Sequence, residues 1–180
     1  MPVLIAAVVI VGLLCVADLL LTFGVIRRLR EHTEVLRARQ FLDSGTVVNL
    51  RSGQVPEPFT AVAADGAVIA GPAGLRLAGF FSATCPACPG SVAPFIEYVK
   101  ANQIARDDAL ATLLVAANAA PPPYLGLLAE VARVTVQQED SQVIRSFGVA
   151  GYPAFCLLDA DGTVLASGFN PESLPATAMA

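Results

Sequence analysis

The chain has 180 residues, of which 55% are hydrophobic and 14% charged, and its formal net charge is −4 at neutral pH. This length leaves room for one ordinary domain and an additional segment. Residues 41–180 carry six basic and twelve acidic side chains, which gives −6. Because no basic stripe occurs in this part of the sequence, composition argues against nucleic acid as a partner.

The additional segment is N-terminal. Residues 3–26 form a run of 24 residues in which Asp18 is the only charged side chain. As a helix this run would reach roughly 36 Å, enough to cross a hydrocarbon core of about 30 Å. A cleaved signal peptide would need a basic region before the apolar run and a clear cleavage site, and neither is present. The sequence therefore predicts a retained transmembrane anchor over residues 1–26.

The residues after this run are basic, and they bear on orientation. We expect residues 27–42 to continue as a juxtamembrane helix. Because all the basic residues that flank the span follow it, the positive-inside rule places the rest of the chain in the cytoplasm. Alternatively, these side chains extend along the helix to lipid phosphates. The residues concerned are Arg27, Arg28, Arg30, Arg37 and Arg39.

The first half of the remaining chain predicts a hairpin followed by a βαβ unit. Residues 43–58 are interrupted by glycine and proline and predict a linker. Residues 59–70 predict a hairpin around Asp65-Gly66. Residues 75–81 and 109–116 are apolar runs of strand length on either side of a helical pattern over 86–102. Two strands joined in this way should be parallel.

The second half predicts short alternating elements. Residues 125–132 and 141–147 have helical patterns, and the second helix should end at Gly148 in the left-handed conformation. The segment RVTVQ between them predicts a strand. Residues 153–158 and 163–167 flank Asp161-Gly162 and predict a closing hairpin. The order indicates an α/β domain over residues 59–180, with a mixed sheet flanked by helices.

Two cysteines stand at the end of the first apolar strand, in Cys85-Pro86-Ala87-Cys88. A structural zinc site needs four ligands, but the chain beyond residue 42 offers three cysteines and no histidine, since the one histidine is His32. A disulfide closing so short a loop would stabilise the fold little. A redox role is therefore favoured, with no metal and no other cofactor.

The predicted placement of the motif suits thiol–disulfide exchange. Pro86 is expected at the first helical position, so that unpaired N–H groups and the positive end of the helix dipole would face the Cys85 sulfur. Such surroundings lower a cysteine pKa from about 8.5. Cys88, one turn on, could then resolve a mixed disulfide formed by Cys85.

Several stretches resemble one family. The segments VPEPF, FFSATCPAC and FGVAGYPAFCLLDADGTV are similar to those of membrane-anchored TlpA-like thiol–disulfide oxidoreductases of the thioredoxin fold. The stretch SATCPAC is especially similar to the MauD-type accessory protein of methylamine utilisation. The resemblance implies a thioredoxin-like mixed sheet flanked by helices, preceded by one transmembrane helix.

The resemblance also implies site residues and partners. Pro153 should be cis and lie against the cysteine pair, with Tyr152 pairing with a substrate chain, and Thr84, Pro86 and Ala87 should complete the active-site turn. The substrates would be protein thiols or disulfides, with a membrane electron donor or acceptor as a further partner. The domain would be extracytoplasmic, contrary to the orientation that the arginines favour.

The sequence departs from the family at several positions. Thr84 stands where the family often has tryptophan, and Gly79 where many thioredoxins carry a buried carboxylate. The chain ends in FNPESLPATAMA, where relatives have a covering helix, so we expect one sheet face to be bare. Cys156 is expected in the core.

Two other functions stay open from the sequence. A non-catalytic module of the same fold could dock to a membrane partner. A peroxiredoxin-type peroxidase shares the fold but requires proline and threonine where this chain has Ala78 and Ser82.

Overall fold

The computed structural model describes Gly12, Val48 and residues 50–117, 119–138 and 140–176. Apart from Gly12, the predicted anchor (1–26) and basic helix (27–42) lie outside the described residues. No helix within the described part is long and apolar enough to span a bilayer. The chain divides into two compact units, Met1–Gly45 and Thr46–Ala180, and every element named below belongs to the second.

Ten regular elements follow one another in this unit, together with short 3-10 turns at Arg106–Asp108 and Pro171–Ser173. In chain order they are β1 (Phe59–Val62), β2 (Val68–Gly71), β3 (Leu77–Ser82), α1 (Cys88–Ala101), β4 (Ala109–Leu114), α2 (Leu125–Val131), β5 (Arg133–Gln137), α3 (Gln142–Phe147), β6 (Ala154–Leu158) and β7 (Val164–Gly168). The sequence predicted each of them, with boundaries that differ by at most two residues.

Five strands form one mixed sheet in the order β5-β4-β3-β6-β7. β3, β4 and β5 are parallel, whereas β6 is antiparallel to β3 and β7 to β6. The predicted βαβ unit and closing hairpin are therefore confirmed. β1 and β2 pair antiparallel in a separate two-stranded sheet, which the sequence did not distinguish from the main one.

Both faces of the main sheet are covered, which explains why all six residues of β3 are buried. On one face Phe95 of α1 and Leu128 of α2 pack against Phe81 of β3. On the other face Phe147 of α3 packs against Phe80, with ring centroids 5.0 Å apart. A strand buried on both faces reads as a continuous apolar run rather than an alternating one.

The described part of the predicted linker, 43–58, pairs with the domain. Val48 forms an isolated antiparallel bridge with Val149 and is fully buried. The Gly53 N–H donates to the Val164 carbonyl, and the Val164 N–H donates to the Gln54 carbonyl, both at 2.8 Å. These bonds attach the segment to the edge strand β7 and make it part of the compact unit.

Helix α1 begins two residues later than predicted. Its first helical residue is Cys88, its N-cap is Ala87, and the proline of its first turn is Pro89 rather than Pro86. The reason is a separate turn over the motif, in which the Cys88 N–H donates to the Cys85 carbonyl at 3.3 Å. Pro89 is tolerated at this position because first-turn N–H groups have no partner within the helix.

The expectation of a bare sheet face is wrong for the face that α1 covers. The segment after β7 forms the 3-10 turn Pro171–Ser173, and Leu174 then enters the α1 cluster with only 6% of its surface exposed. The Tyr98 hydroxyl of α1 donates to the Pro175 carbonyl. The 3-10 turn and Leu174 therefore cover this part of the sheet face without a C-terminal helix.

This arrangement predicts a loss of stability when Leu174 is truncated. Leu174→Ala should lower the free energy of unfolding by about 2–4 kcal/mol, since it removes a buried side chain and leaves a cavity. Leu127→Ala is the matched control, because Leu127 is 51% exposed and should change stability by about 0.5 kcal/mol or less. Urea unfolding measures both. Equal losses in the two variants would contradict the packing described for the C-terminal segment.

Candidate active site

A turn at the carboxyl end of β3 holds the two cysteines of the motif. The Cys85 N–H donates to the Ser82 carbonyl at 3.2 Å, and this hydrogen bond attaches the turn to the last residue of the strand. Thr84, Pro86 and Ala87 are exposed, Cys85 is partly buried and Cys88 is buried. The turn therefore presents one sulfur towards the surface and keeps the other beneath it.

The structure brings the loop before β6 against the Cys85 sulfur, as the resemblance implied. The Tyr152–Pro153 peptide bond is cis. Cys85 Sγ donates to the Tyr152 carbonyl at 3.2 Å, across 67 residues of sequence. The sequence predicted a different contact, in which the N–H groups at the N-terminus of α1 face the Cys85 sulfur. The helix starts three residues after Cys85, and the hydrogen bond described for the Cys85 sulfur is to a carbonyl.

Cys88 is held in a different environment. It is fully buried, and its Sγ accepts a hydrogen bond from the Ser82 N–H at 3.3 Å. Burial raises the pKa of the Cys88 thiol from 9.0 to about 12, and the neighbouring Cys85 sulfur adds to the rise while the Ser82 N–H opposes it. Burial disfavours the thiolate because the charge loses its hydration. Cys88 is therefore a thiol across the physiological pH range.

The position where many thioredoxins carry a carboxylate is closed by an aromatic ring. A Cβ atom on Gly79 would lie 2.8 Å from Cε2 of Phe95. Phe95 also stacks on Phe155, and both pack around Phe81 with ring centroids 5.6 Å away. Among the described residues the buried polar side chains are those of Ser82, Thr112, Thr135 and Ser146, none of them a carboxylate. No buried base for Cys88 is thus present in the described part.

Ser82 has a central role in this geometry that sequence reasoning missed. Besides its backbone contacts to both cysteines, its hydroxyl lies 3.0 Å from Thr84 Oγ1 and accepts the Thr84 N–H at 3.3 Å. Ser82 is only 4% exposed. The feature of the sequence that could have identified Ser82 is a polar residue at the end of an otherwise apolar strand, immediately before the motif.

Tyr124 is the second residue that the sequence did not single out. Its hydroxyl donates to the Ser82 carbonyl at 3.5 Å, and its ring centroid lies 6.4 Å from that of Phe81. Burial, with a smaller contribution from the sulfurs of Cys88 and Cys85, raises the pKa of Tyr124 to about 12. Tyr124 is therefore a neutral hydrogen-bond donor beside the cysteine pair.

Cys156 lies apart from the motif. It is fully buried in β6 opposite Ala78 and belongs to the cluster on the α3 face, whereas Cys88 belongs to the cluster on the α1 face. Burial raises the pKa of the Cys156 thiol to about 12. The sheet itself separates this sulfur from the other two, in agreement with the expected core position.

A groove of about 430 Å³ adjoins the turn at the carboxyl ends of β3, β4 and β5. It is lined by Ser82, Thr84, residues 114–117, Gln138 and Asp140. Within the described ranges, no group of three or more His, Cys, Asp or Glu side chains is placed to hold a metal ion.

Comparison with solved structures identifies the architecture. The thioredoxin domain of a thiol-disulfide oxidoreductase from Bacteroides vulgatus is 17% identical, covers 68% of this chain and 91% of its own, and superposes with a TM-score of 0.57. A secreted Mycobacterium tuberculosis disulfide oxidoreductase, described as homologous to E. coli DsbE, is 22% identical, covers 68% and 87%, and has a TM-score of 0.51. The domain has a thioredoxin-like fold.

A third structure supports the same architecture. A thiol-disulfide oxidoreductase from Bacteroides fragilis is 15% identical, covers 63% of this chain and 89% of its own, and has a TM-score of 0.53. No protein-family model and no curated protein sequence matches the chain. The comparisons therefore establish the thioredoxin-like fold, and the chemistry rests on the residues of the site.

The environment of Cys88 predicts a steep pH dependence for the step in which it attacks. Because its pKa is raised to about 12 mainly by burial, its thiolate fraction grows about tenfold per pH unit up to that pH. In a Cys15→Ser background, Ellman's reagent should form a mixed disulfide at Cys85, which Cys88 then displaces. Stopped-flow absorbance should show this second release accelerating about tenfold per unit from pH 7 to 9.

The first release, from attack by Cys85, is the internal control in the same trace. A plateau of the second rate below pH 9 would show that Cys88 titrates as an ordinary thiol. That result would contradict the burial described for its sulfur.

Proposed function

We propose that the chain is a membrane-tethered thiol–disulfide oxidoreductase that exchanges disulfides with protein substrates. The observation that carries this proposal is the pairing of a partly exposed Cys85 with a buried Cys88 one turn further on. Cys85 contacts the carbonyl of the residue before cis Pro153. An accessible sulfur with a second sulfur behind it is the arrangement that exchange through a mixed disulfide requires.

The reaction has two displacements. The Cys85 thiolate attacks a substrate disulfide, forms a mixed disulfide and releases one substrate sulfur as a thiolate. Cys88 then loses its proton to solvent, attacks Cys85 Sγ as the thiolate, closes the Cys85–Cys88 disulfide and releases the second substrate thiolate. The pair loses two electrons and the substrate disulfide gains them, and the reverse sequence oxidises a substrate dithiol. A membrane electron donor or acceptor would reset the pair.

The substrate chain would lie along Tyr152-Pro153. The Tyr152 backbone is already within hydrogen-bond distance of the Cys85 sulfur, so a polypeptide joined to Cys85 must pass this loop. Thr84, Pro86 and Ala87, which flank Cys85 in the motif, are exposed and would contact the same chain. Backbone pairing of this kind allows different substrate sequences to bind.

Cys88→Ser should trap the intermediate of this reaction. Without the second thiol, the mixed disulfide between Cys85 and a disulfide-containing protein such as insulin should persist at least tenfold longer than in the wild type. Non-reducing gels and mass spectrometry of the adduct measure this, and dithiothreitol should release the substrate. Cys156→Ser is the control, since its sulfur lies on the other face of the sheet and should trap nothing.

Failure to trap an adduct in any redox buffer would overturn the oxidoreductase proposal. The competing proposal, a binding module without catalysis, is favoured by the lack of a buried base near Cys88 within the described residues. It predicts that Cys85→Ser/Cys88→Ser leaves capture of a membrane partner unchanged. The oxidoreductase proposal predicts loss of all exchange in that double variant.

The tether, the orientation and the more specific assignment rest on the sequence. The apolar run over residues 3–26 supports a single span. The likeness of SATCPAC to the MauD type supports an extracytoplasmic domain that acts on proteins such as amine dehydrogenases or haem proteins during their maturation. The arginines that follow the span favour the opposite orientation.

Protease accessibility in oriented membrane vesicles tests the orientation. With the domain outside, protease added to right-side-out vesicles should degrade it, and in inside-out vesicles it should be protected. The chain should also stay in the membrane pellet after alkaline carbonate washing. Degradation only in inside-out vesicles would place the domain in the cytoplasm, and release by carbonate would contradict the anchor.

A further inference from the structure

The groove beside the motif lies on the opposite side of β3 from the Tyr152–Pro153 loop. β6, which follows that loop, is one neighbour of β3, and β4 is the other. The groove extends from Ser82 and Thr84 at the end of β3 across residues 114–117 to Gln138 and Asp140 after β5. A substrate cysteine joined to Cys85 therefore has the Tyr152 loop on one side and this groove on the other.

The shape of the groove suits a short piece of polypeptide. Its lining includes the buried residues Ser82 and Val115, and its volume of about 430 Å³ is within the range of ligand-binding clefts. Ala116 and Ala117 are exposed lining residues, and their small side chains do not obstruct the entrance of the groove. The Ala119 N–H donates to the Ala116 carbonyl at 3.0 Å, a turn that fixes the wall formed by this loop.

The charge of the groove selects among polypeptides. Among the described residues that line it, Asp140 is the charged one, and none is a lysine or an arginine. None of the salt bridges between described residues involves Asp140, which leaves its exposed carboxylate available to a ligand. Thr84 and Gln138 add polar groups along the rim. The complementary ligand is a chain with a basic side chain a few residues from its cysteine.

We propose that this groove is a substrate subsite that binds the polypeptide flanking the reactive cysteine of a substrate and prefers a lysine or arginine opposite Asp140. The inference rests on the proposed exchange function, which it deepens by naming a substrate class. It also implies that glutathione, a small and anionic thiol, is a poor substrate.

The test uses homodimeric disulfides of synthetic peptides with one cysteine each and with lysine, glutamine or glutamate placed two to four residues from it. Reduced full-length protein is mixed with each peptide, and closure of the Cys85–Cys88 disulfide is followed by mass spectrometry after alkylation. The lysine peptide should react about two- to fivefold faster than the glutamine peptide, the range expected for one exposed ion pair. The preference should fade at high salt.

Asp140→Asn should abolish the preference, bringing the ratio of lysine to glutamine rates to about one. Asp161→Asn is the matched control: it makes the same charge change in the β6–β7 turn, at the other end of β6 from the Tyr152–Pro153 loop, and should keep the preference. If both variants retain it, or if both lose it, the attraction comes from the overall charge of the domain and the subsite is refuted.

Blocking the groove separates failure of the subsite from failure of the proposed function. Ala116→Trp should slow every peptide about tenfold or more relative to hydroxyethyl disulfide, because that molecule is too small to reach the groove. Ala105→Trp, on the exposed loop before β4, is the control and should change neither rate. If peptide rates stay unchanged in Ala116→Trp, the subsite is refuted, whereas no reaction of the wild type with hydroxyethyl disulfide refutes the exchange function itself.

Discussion

The site depends on the backbone of Ser82, the last residue of the central strand. Its N–H binds the buried Cys88 sulfur, and its carbonyl accepts the Cys85 N–H and the Tyr124 hydroxyl. β3 pairs with β4 as far as Ser82 and with β6 as far as Phe80, and it is buried on both faces, so this backbone is firmly held. Its hydrogen bonds fix the positions of both cysteines, as a reactive pair requires.

The same core that positions the sulfurs also limits their chemistry. Phe81, Phe95 and Phe155 fill the space behind Cys88, and the ring of Phe95 occupies the volume that a side chain at position 79 would need. Dense apolar packing stabilises the fold. It also leaves no room near Cys88 for a side chain that could accept the thiol proton. The domain therefore combines a firmly placed sulfur pair with a second thiol that ionises only at high pH.

The two sides of the Cys85 sulfur are built by different parts of the chain. On one side, α3 ends at Gly148 in the left-handed conformation and the chain then reaches the cis peptide before Pro153. On the other, the ends of β4 and β5 leave a groove with a low rim. The parallel strands end at the same edge of the sheet as β3, so an open cleft there follows from the topology.

Local patterns in the sequence determined the elements. Continuous apolar runs marked the buried strands, Asp65-Gly66 and Asp161-Gly162 marked the hairpins, and Gly148 marked the end of α3, because each reflects a short-range steric or solvation preference. The spacing of Cys85 and Cys88 at the end of a strand identified the candidate site in the same way.

Only the tertiary structure decided which distant groups meet. The contact of Cys85 with Tyr152, the ring of Phe95 over Gly79 and the burial of Leu174 each join separate parts of the chain, and the β1–β2 hairpin stays apart from the main sheet. Such contacts depend on how elements pack rather than on any local preference, so neither periodicity nor spacing encodes them. The tertiary structure also decided that α1 starts at Cys88 instead of Pro86, because a turn that is hydrogen-bonded to Ser82 precedes the helix.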